Sequence, residues 1–251
     1  MTKIAIVTGA SRGLGRSTAL SIARHGSDVI VTYQSRGEDA EAVVAEINAL
    51  GRKAIALQLD TGKIAGFAPF AGQLQKALRE IWQRETFDHL VNNAGHGDYA
   101  LIEQTTEEQF DGLVNVHFKG VFFLTQTLLP LIANGGRIIN LSSGLTRVSF
   151  PGYAAYAAVK GAVEILSVYM AKELGGRGIA VNTVAPGAIE TDFGGGAVRD
   201  NSEVNKLFAD MTALGRTGLP DDIGPMIASL LSEDNRWVNA QRIEVSGGQG
   251  I

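Results

Sequence analysis

The 251-residue chain has no cysteine. Disulfides, thiolate-bound zinc, iron–sulfur clusters and a cysteine nucleophile are therefore excluded. Histidine is scarce, with four residues, which leaves little for a histidine-rich metal site. Proline occurs only six times, and no biased tract or linker divides the chain. Charge of one sign is also missing. Against 22 basic residues stand 26 acidic ones, a net charge of −4. That balance argues against nucleic acid or an anionic membrane as the main partner. No uninterrupted apolar run reaches the ~18 residues of a membrane span. Met1-Thr2-Lys3 runs into only a short apolar stretch, which does not fit a secretory signal, so a cytoplasmic location is expected.

Glycine is in excess. Its 31 residues are about 12% of the chain, against a usual ~7%. Seven short apolar runs, most of them rich in Val and Ile, punctuate the sequence at 4–7, 29–33, 54–59, 90–91, 137–141, 179–185 and 242–245. Most are continuous rather than alternating, the pattern of strands buried on both faces of a parallel sheet. Helical segments lie between them, such as 14–25 and 37–50, the second closed by Gly51. Thr105-Thr106-Glu107-Glu108 reads as a capping box that opens a helix running toward Pro130. The alternation predicts one α/β domain over residues 1–251. It is Rossmann-like, a doubly wound parallel sheet of about seven strands with helices on both faces.

Two helices, over 110–132 and 153–174, are apolar almost all round. An outer helix needs only one apolar stripe, so a second subunit is expected against them. Residues 190–213 hold Gly194-Gly195-Gly196 and the apolar Phe193, Val204, Leu207 and Phe208. This reads as a hinged lid over a ligand.

The first run ends in Thr8-Gly9-Ala10-Ser11-Arg12-Gly13-Leu14-Gly15. Glycines here let the backbone approach a pyrophosphate at the start of the first helix. The second run ends in Gln34-Ser35-Arg36, with no acid between positions 29 and 37. An acid there would bind a ribose 2′-hydroxyl and repel a 2′-phosphate. Arginines such as Arg12 and Arg36 grip such a phosphate, so NADP(H) is expected over NAD(H). Tyr156 and Lys160 lie four residues apart in a predicted helix and share a face. A cation there lowers a phenol's pKa toward the range of general acid–base work.

The TGxxxGxG turn resembles that of the classical short-chain dehydrogenase/reductases. Downstream motifs extend the resemblance: Asn92-Asn93-Ala94-Gly95, Tyr156–Lys160 with Ser143 thirteen residues earlier, Pro186-Gly187-Ala188-Ile189-Glu190-Thr191, and the Val245–Gly248 end. It implies a catalytic set of Asn115, Ser143, Tyr156 and Lys160. In it Ser143 orients a carbonyl, Tyr156 moves the proton, Lys160 also binds ribose, and Asn115 anchors a water. Ser142 is the neighbouring alternative to Ser143, which strand alternation turns the other way. The cofactor set it implies is Gly9, Ser11, Arg12, Gly13, Leu14, Gly15, Ser35, Arg36, Asp60, Thr61, Asn93, Ala94, Gly95, Tyr156, Lys160, Pro186, Gly187, Ile189 and Thr191. His96, Leu145, Phe150, Tyr153, Phe193 and Phe208 are expected to wall a mostly apolar substrate pocket. His25 and His89 are expected to face solvent, and His117 to be structural. The resemblance implies a homotetramer and reversible reduction of a small-molecule ketone, with a 3-oxoacyl carrier-protein thioester as the alternative. A non-catalytic NADP-binding regulator is the rival from another class, and the intact Asn-Ser-Tyr-Lys set speaks against it. A methyltransferase has no use for the Tyr–Lys pair.

Overall fold

The computed structural model describes residues 2–251. Seven strands form one sheet: β1 (Ile4–Val7), β2 (Asp28–Tyr33), β3 (Ala54–Gln58), β4 (Phe87–Asn92), β5 (Ile132–Leu141), β6 (Ala180–Pro186) and β7 (Arg242–Val245). Every pairing is parallel, and the order is β3-β2-β1-β4-β5-β6-β7. The connecting helices are α1 (Gly13–Arg24), α2 (Gly37–Ala49), α3 (Phe67–Trp82), α4 (Glu107–Val114), α5 (Gly120–Leu128), α6 (Ala154–Leu174), α7 (Ala197–Asp200), α8 (Ser202–Asp210) and α9 (Pro220–Leu230).

Side chains alternate across a strand, and here each alternate set meets its own core. Ala5, Val7, Val29, Val31 and Ile139 pack under α1, α2 and α9 with Leu20, Val43, Ile47, Ile223 and Ile227. Ile4, Ile6, Ile30, Leu90 and Ile138 pack under α3, α5 and α6 with Phe67, Leu74, Leu78, Leu124 and Ala171. Burying each such aliphatic side chain contributes about 1.5–3 kcal/mol, so strands apolar on both faces are what this two-sided burial selects. The winding reverses between β1 and β4. In open α/β sheets that switch point, at the carboxyl ends of the strands, is where a ligand crevice forms.

Several boundaries differ from the sequence reading. β4 starts at Phe87, not Leu90, so His89 is a buried strand residue rather than a solvent-facing one. β5 begins at Ile132, with a register irregularity opposite Phe87 and His89. The capping box sits one residue later than expected. The Gln109 N–H donates to Thr106 Oγ1 (3.2 Å), and the Thr106 N–H donates to Gln109 Oε1 (3.1 Å). The expected helix over 110–132 is broken in two. A widened turn over Asn115–Lys119 separates α4 from α5, and the Gly120 N–H closes it on the Asn115 carbonyl. The Thr61 carbonyl crowds Gly120 so closely that a Cβ there would overlap it. α5 ends at Leu128 and passes into a short 3-10 turn over Leu129–Leu131, because Pro130 has no N–H to continue the helical hydrogen bonds.

α6 is long and apolar enough to cross a membrane by length and composition. It nevertheless packs in the core, where Ser167 receives a hydrogen bond from Asn140 of β5 (2.8 Å). The 190–213 excursion is not one helix. Gly194, Gly195 and Gly196 all take positive φ (+59°, +72°, +82°), a run that glycine alone tolerates readily. α7 and α8 follow, and no residue of either is buried.

Candidate active site

A cleft of about 470 Å³ opens at the switch point. Its floor is the first βα turn. Gly9 has φ +62°, and a Cβ on it would stand 2.9 Å from Ala94 Cα. A Cβ on Gly15 would overlap the Gly9 carbonyl and the Asn93 amide. Asn93 fixes the turn by donating from Nδ2 to the Thr8 carbonyl (2.8 Å). α1 opens here without an acidic residue in its first turn and without a side-chain cap. Its free N–H groups and dipole form a ready anion site.

Of the expected cofactor residues, Gly9, Ser11, Arg12, Gly13, Leu14, Gly15, Ser35, Arg36, Asp60 and Thr61 all line this cleft. So do Asn93, Ala94, Gly95, Tyr156, Pro186, Gly187, Ile189 and Thr191. Lys160 lies behind the wall. Two cations sit at the adenosine end, half-exposed. Arg36 reaches Asp39 (3.4 Å). Arg12 reaches across to Asp192 of the 190–213 segment (2.5 Å), a partner that sequence reading did not supply. Asp60 accepts from the Gly62 N–H (2.9 Å). That bond, with Gln34 and Lys63 nearby, lowers its pKa against the opposing effect of burial.

Ser143 follows β5 in extended backbone, and its Oγ accepts from the Leu145 N–H (3.2 Å). That bond leaves its own proton to the Tyr156 hydroxyl or to a ligand in the cleft. Ser142 donates instead to Glu164 Oε1 (2.7 Å). Glu164 also accepts from Thr146 (2.8 Å) and from Arg242 Nε (2.7 Å). This network behind the serine was not legible from spacing, because its members are up to 100 residues apart in sequence.

Tyr156 is buried, and burial holds its phenol well above the ordinary tyrosine range, partly offset by a hydrogen bond with Ser143. Lys160 is buried too, and burial alone pulls its pKa down to about 7. Its Nζ donates to the Leu141 carbonyl (2.7 Å) and lies 5.6 Å from the Tyr156 ring centre. Helical spacing therefore puts the pair on one face, as expected, but Lys160 does not lower the phenol in this state. A neutral phenol is the form that can give up a proton.

Asn115 does not join the other three. It lies outside the cleft, with Lys119 Nζ donating to its Oδ1 (3.1 Å) and Gly120 N–H to its carbonyl. The inward-facing residue of that widened turn is His117, which stands edge-on to Tyr156 at 5.3 Å between ring centres.

Of the expected substrate wall, His96 and Phe193 line the cleft. Phe193 tilts over Tyr156 (5.5 Å) and rests on Gly97, where a Cβ would overlap its ring. Leu145 belongs to the small cluster under Tyr156 and Val159. Tyr153 stacks edge-on with Tyr99 (5.5 Å) and Phe150 with Phe208 (5.4 Å). None of these four expected wall residues, Leu145, Phe150, Tyr153 and Phe208, lines the cleft. Gln249 was missed by sequence reading. Its Oε1 accepts from the Ala188 N–H (2.8 Å) and so braces the Pro186-Gly187 turn.

A phosphate-cradling turn at the switch point of a doubly wound sheet, with a serine and a tyrosine opening onto the same cleft, defines a dinucleotide-dependent oxidoreductase fold. A family model described as Enoyl-(Acyl carrier protein) reductase matches residues 9–249. The chain belongs to the short-chain dehydrogenase/reductase family and is an oxidoreductase. It is 40% identical over 246 residues to an uncharacterized oxidoreductase of Methylorubrum extorquens, covering 98% of this chain and 97% of that one. It is 36% identical over 258 residues to the hydroxynaphthalene reductase-like protein Arp2 of Metarhizium robertsii, covering 98% and 94%. Among solved structures, the angucycline C-6 ketoreductase LanV with bound NADP superposes with a TM-score of 0.93. The identity is 37%, over 98% of this chain and 95% of that one.

Proposed function

We propose that the protein reduces a hydrophobic, aromatic ketone with NADPH as the hydride donor. The observation that carries this reading is the common cleft shared by Ser143, Tyr156, the glycine turn and the arginine-bearing lip. The glycines let the turn pack on Ala94 and Asn93, where a Cβ would overlap, and the uncapped start of α1 suits a pyrophosphate. Arg12 and Arg36, with no acid at the end of β2, suit a 2′-phosphate. When bound, the cofactor supplies the hydride.

The chain's own residues handle the oxygen. Ser143 donates its hydroxyl proton to the ketone oxygen as a hydrogen bond and polarises it. As the carbon receives the hydride, Tyr156 gives its proton to the developing alkoxide, and the ketone becomes an alcohol. Lys160 lies behind the phenol with protons to replace the one lost. Phe193 covers this centre and walls off water.

The Phe193 ring over Tyr156 supports an aromatic ketone, as do the names of Arp2 and LanV. A carrier-protein thioester fits less well. Arg137, the one base just after the 131–136 stretch, is buried and donates to the Leu231 carbonyl (3.1 Å), so it offers no surface to an acidic partner. Exposed apolar residues on α4, α5 and α6 support association into a homotetramer.

The test follows absorbance of NADPH and of NADH with a panel of aromatic ketones. NADPH is expected to be the better donor. Tyr156→Phe is expected to lower kcat by about 10²- to 10⁴-fold while leaving NADPH binding intact. Undiminished turnover in that variant would overturn the reading.

A further inference from the structure

His117 points inward from the centre of the widened turn and is 1% exposed. Such turns recur at functional sites because they rotate one residue out of the helical register. The His117 Nε2 lies 2.7 Å from the His96 carbonyl oxygen. The His96 N–H also faces Nε2, at 3.3 Å, but the carbonyl contact is the shorter of the two and only an N–H satisfies that oxygen; Nε2 therefore carries the proton and Nδ1 is a bare acceptor. Nδ1 is buried and has no hydrogen-bond partner. Leaving a buried polar atom unpaired costs about 1–3 kcal/mol, and such an atom marks the place of a ligand or a water. Among the described residues, the other unpaired buried side-chain atoms belong to Thr18 and Ser21 of α1 and His89 of β4, none of which lines the cleft.

The surroundings of His117 are built for it. A Cβ on Gly95 would overlap its ring. The ring meets Tyr156 at 89°, edge to face. Burial and the nearby Lys160 charge keep the imidazole neutral, well below its ordinary pKa. A neutral ring is what leaves Nδ1 free to accept. Asn115, two residues earlier, has both its side-chain and main-chain oxygens already engaged on the outer side of the turn.

We propose that His117, and not Asn115, completes the reaction centre as a positioning residue. Its Nδ1 accepts a hydrogen bond from a water beside Tyr156 and Lys160, which aligns the phenol and the ammonium for proton transfer. This rests on the ketoreductase reading above.

The test compares His117→Asn with His117→Leu. The two side chains are nearly isosteric, so they open the same space, but only asparagine keeps an acceptor. His117→Asn is expected to stay within about threefold of the wild-type kcat. His117→Leu is expected to lose about tenfold or more in kcat and to displace the kcat–pH profile. Substrate KM and NADPH Kd should stay within about twofold in both. Asn115→Ala is expected to leave all of these unchanged. Equal kcat and equal pH profiles in the Asn and Leu variants would sink the inference, as would a collapse of kcat in Asn115→Ala. Tyr156→Phe serves as the reference. If it still turns over, the ketoreductase reading has failed. If it is dead while His117→Leu is intact, only the role of His117 has failed.

Discussion

His89 sits in β4 between β1 and β5, and burial draws its pKa down to about 4. In the unfolded chain an imidazole titrates near 6.5. Between these values the unfolded state holds a proton that the folded state does not, so stability rises with pH across the window. The contribution is fully present above pH 6.5 and is lost as pH falls to 4. At about 1.4 kcal/mol per unit this amounts to about 3 kcal/mol. Urea denaturation from pH 7 to 4 is expected to give a steep loss of stability, and His89→Leu a shallower one. Equal slopes would contradict the burial of this ring in a neutral state. At this scale the sequence was readable where spacing alone determines placement: the glycine turn, Ser143, Tyr156 and Lys160. It misled for His89 and Asn115, because each position depends on an element boundary that a local pattern does not fix. His117 looked structural, since a single buried histidine in an apolar helix carries no spacing signal. Its unpaired nitrogen appears only when Gly95 and His96 fold against it.

Among the elements, the segment over 190–213 was partly legible and the break between α4 and α5 was not. Three consecutive glycines at 194–196 read as a hinge; the structure shows that all three take positive φ. What holds the segment could not be read, because Arg12 and Asp192 are 180 residues apart. Asp192 accepts from Arg12 and from Arg199, and these bonds lower its pKa. Phe193, the next residue, lies over Tyr156. Arg12 therefore divides its charge between Asp192 and the phosphate end of the cleft. Exposed pairs of this kind are worth about 0.2–1 kcal/mol. Asp192→Asn is accordingly expected to tighten NADPH binding by about two- to fivefold, with the melting temperature within about a degree of wild type. Fluorescence titration measures the first. An unchanged or weaker affinity would mean that Arg12 does not serve the cofactor. The break between α4 and α5 was illegible for a different reason. Nothing in the local run Asn115–Lys119 marks a break, and the close approach of the Thr61 carbonyl to Gly120, more than 50 residues away in sequence, appears only in the fold.

For the molecule as a whole, the seven-strand parallel sheet was legible from runs apolar on both faces, since two separate cores need that composition. The same reasoning points outward. On α6, Ile165 and Tyr169 are 63% and 64% exposed, and Val168 lies between them on the same face. Phe110 and Phe122 on the neighbouring helices are also exposed. Further exposed apolar residues flank the β7 edge of the sheet: Trp237, 96% exposed, precedes the strand, and Leu214 and Ile251 lie by the Gly247-Gly248 turn that follows it. Monomers rarely leave such patches bare. A tetramer of dihedral symmetry needs more than one kind of self-complementary interface, and the chain carries two separate apolar surfaces that could supply them. Light scattering is expected to give about four times the 26.5 kDa chain mass. Ile165→Glu with Tyr169→Glu puts two carboxylates into the first surface, where burying unpaired charge is costly. That variant is expected to fall to about twice the chain mass, held by the β7-edge surface alone. A wild-type mass near 26.5 kDa at micromolar concentration would instead mean that the α4–α6 surface stays bare, and its apolar character would then need another occupant.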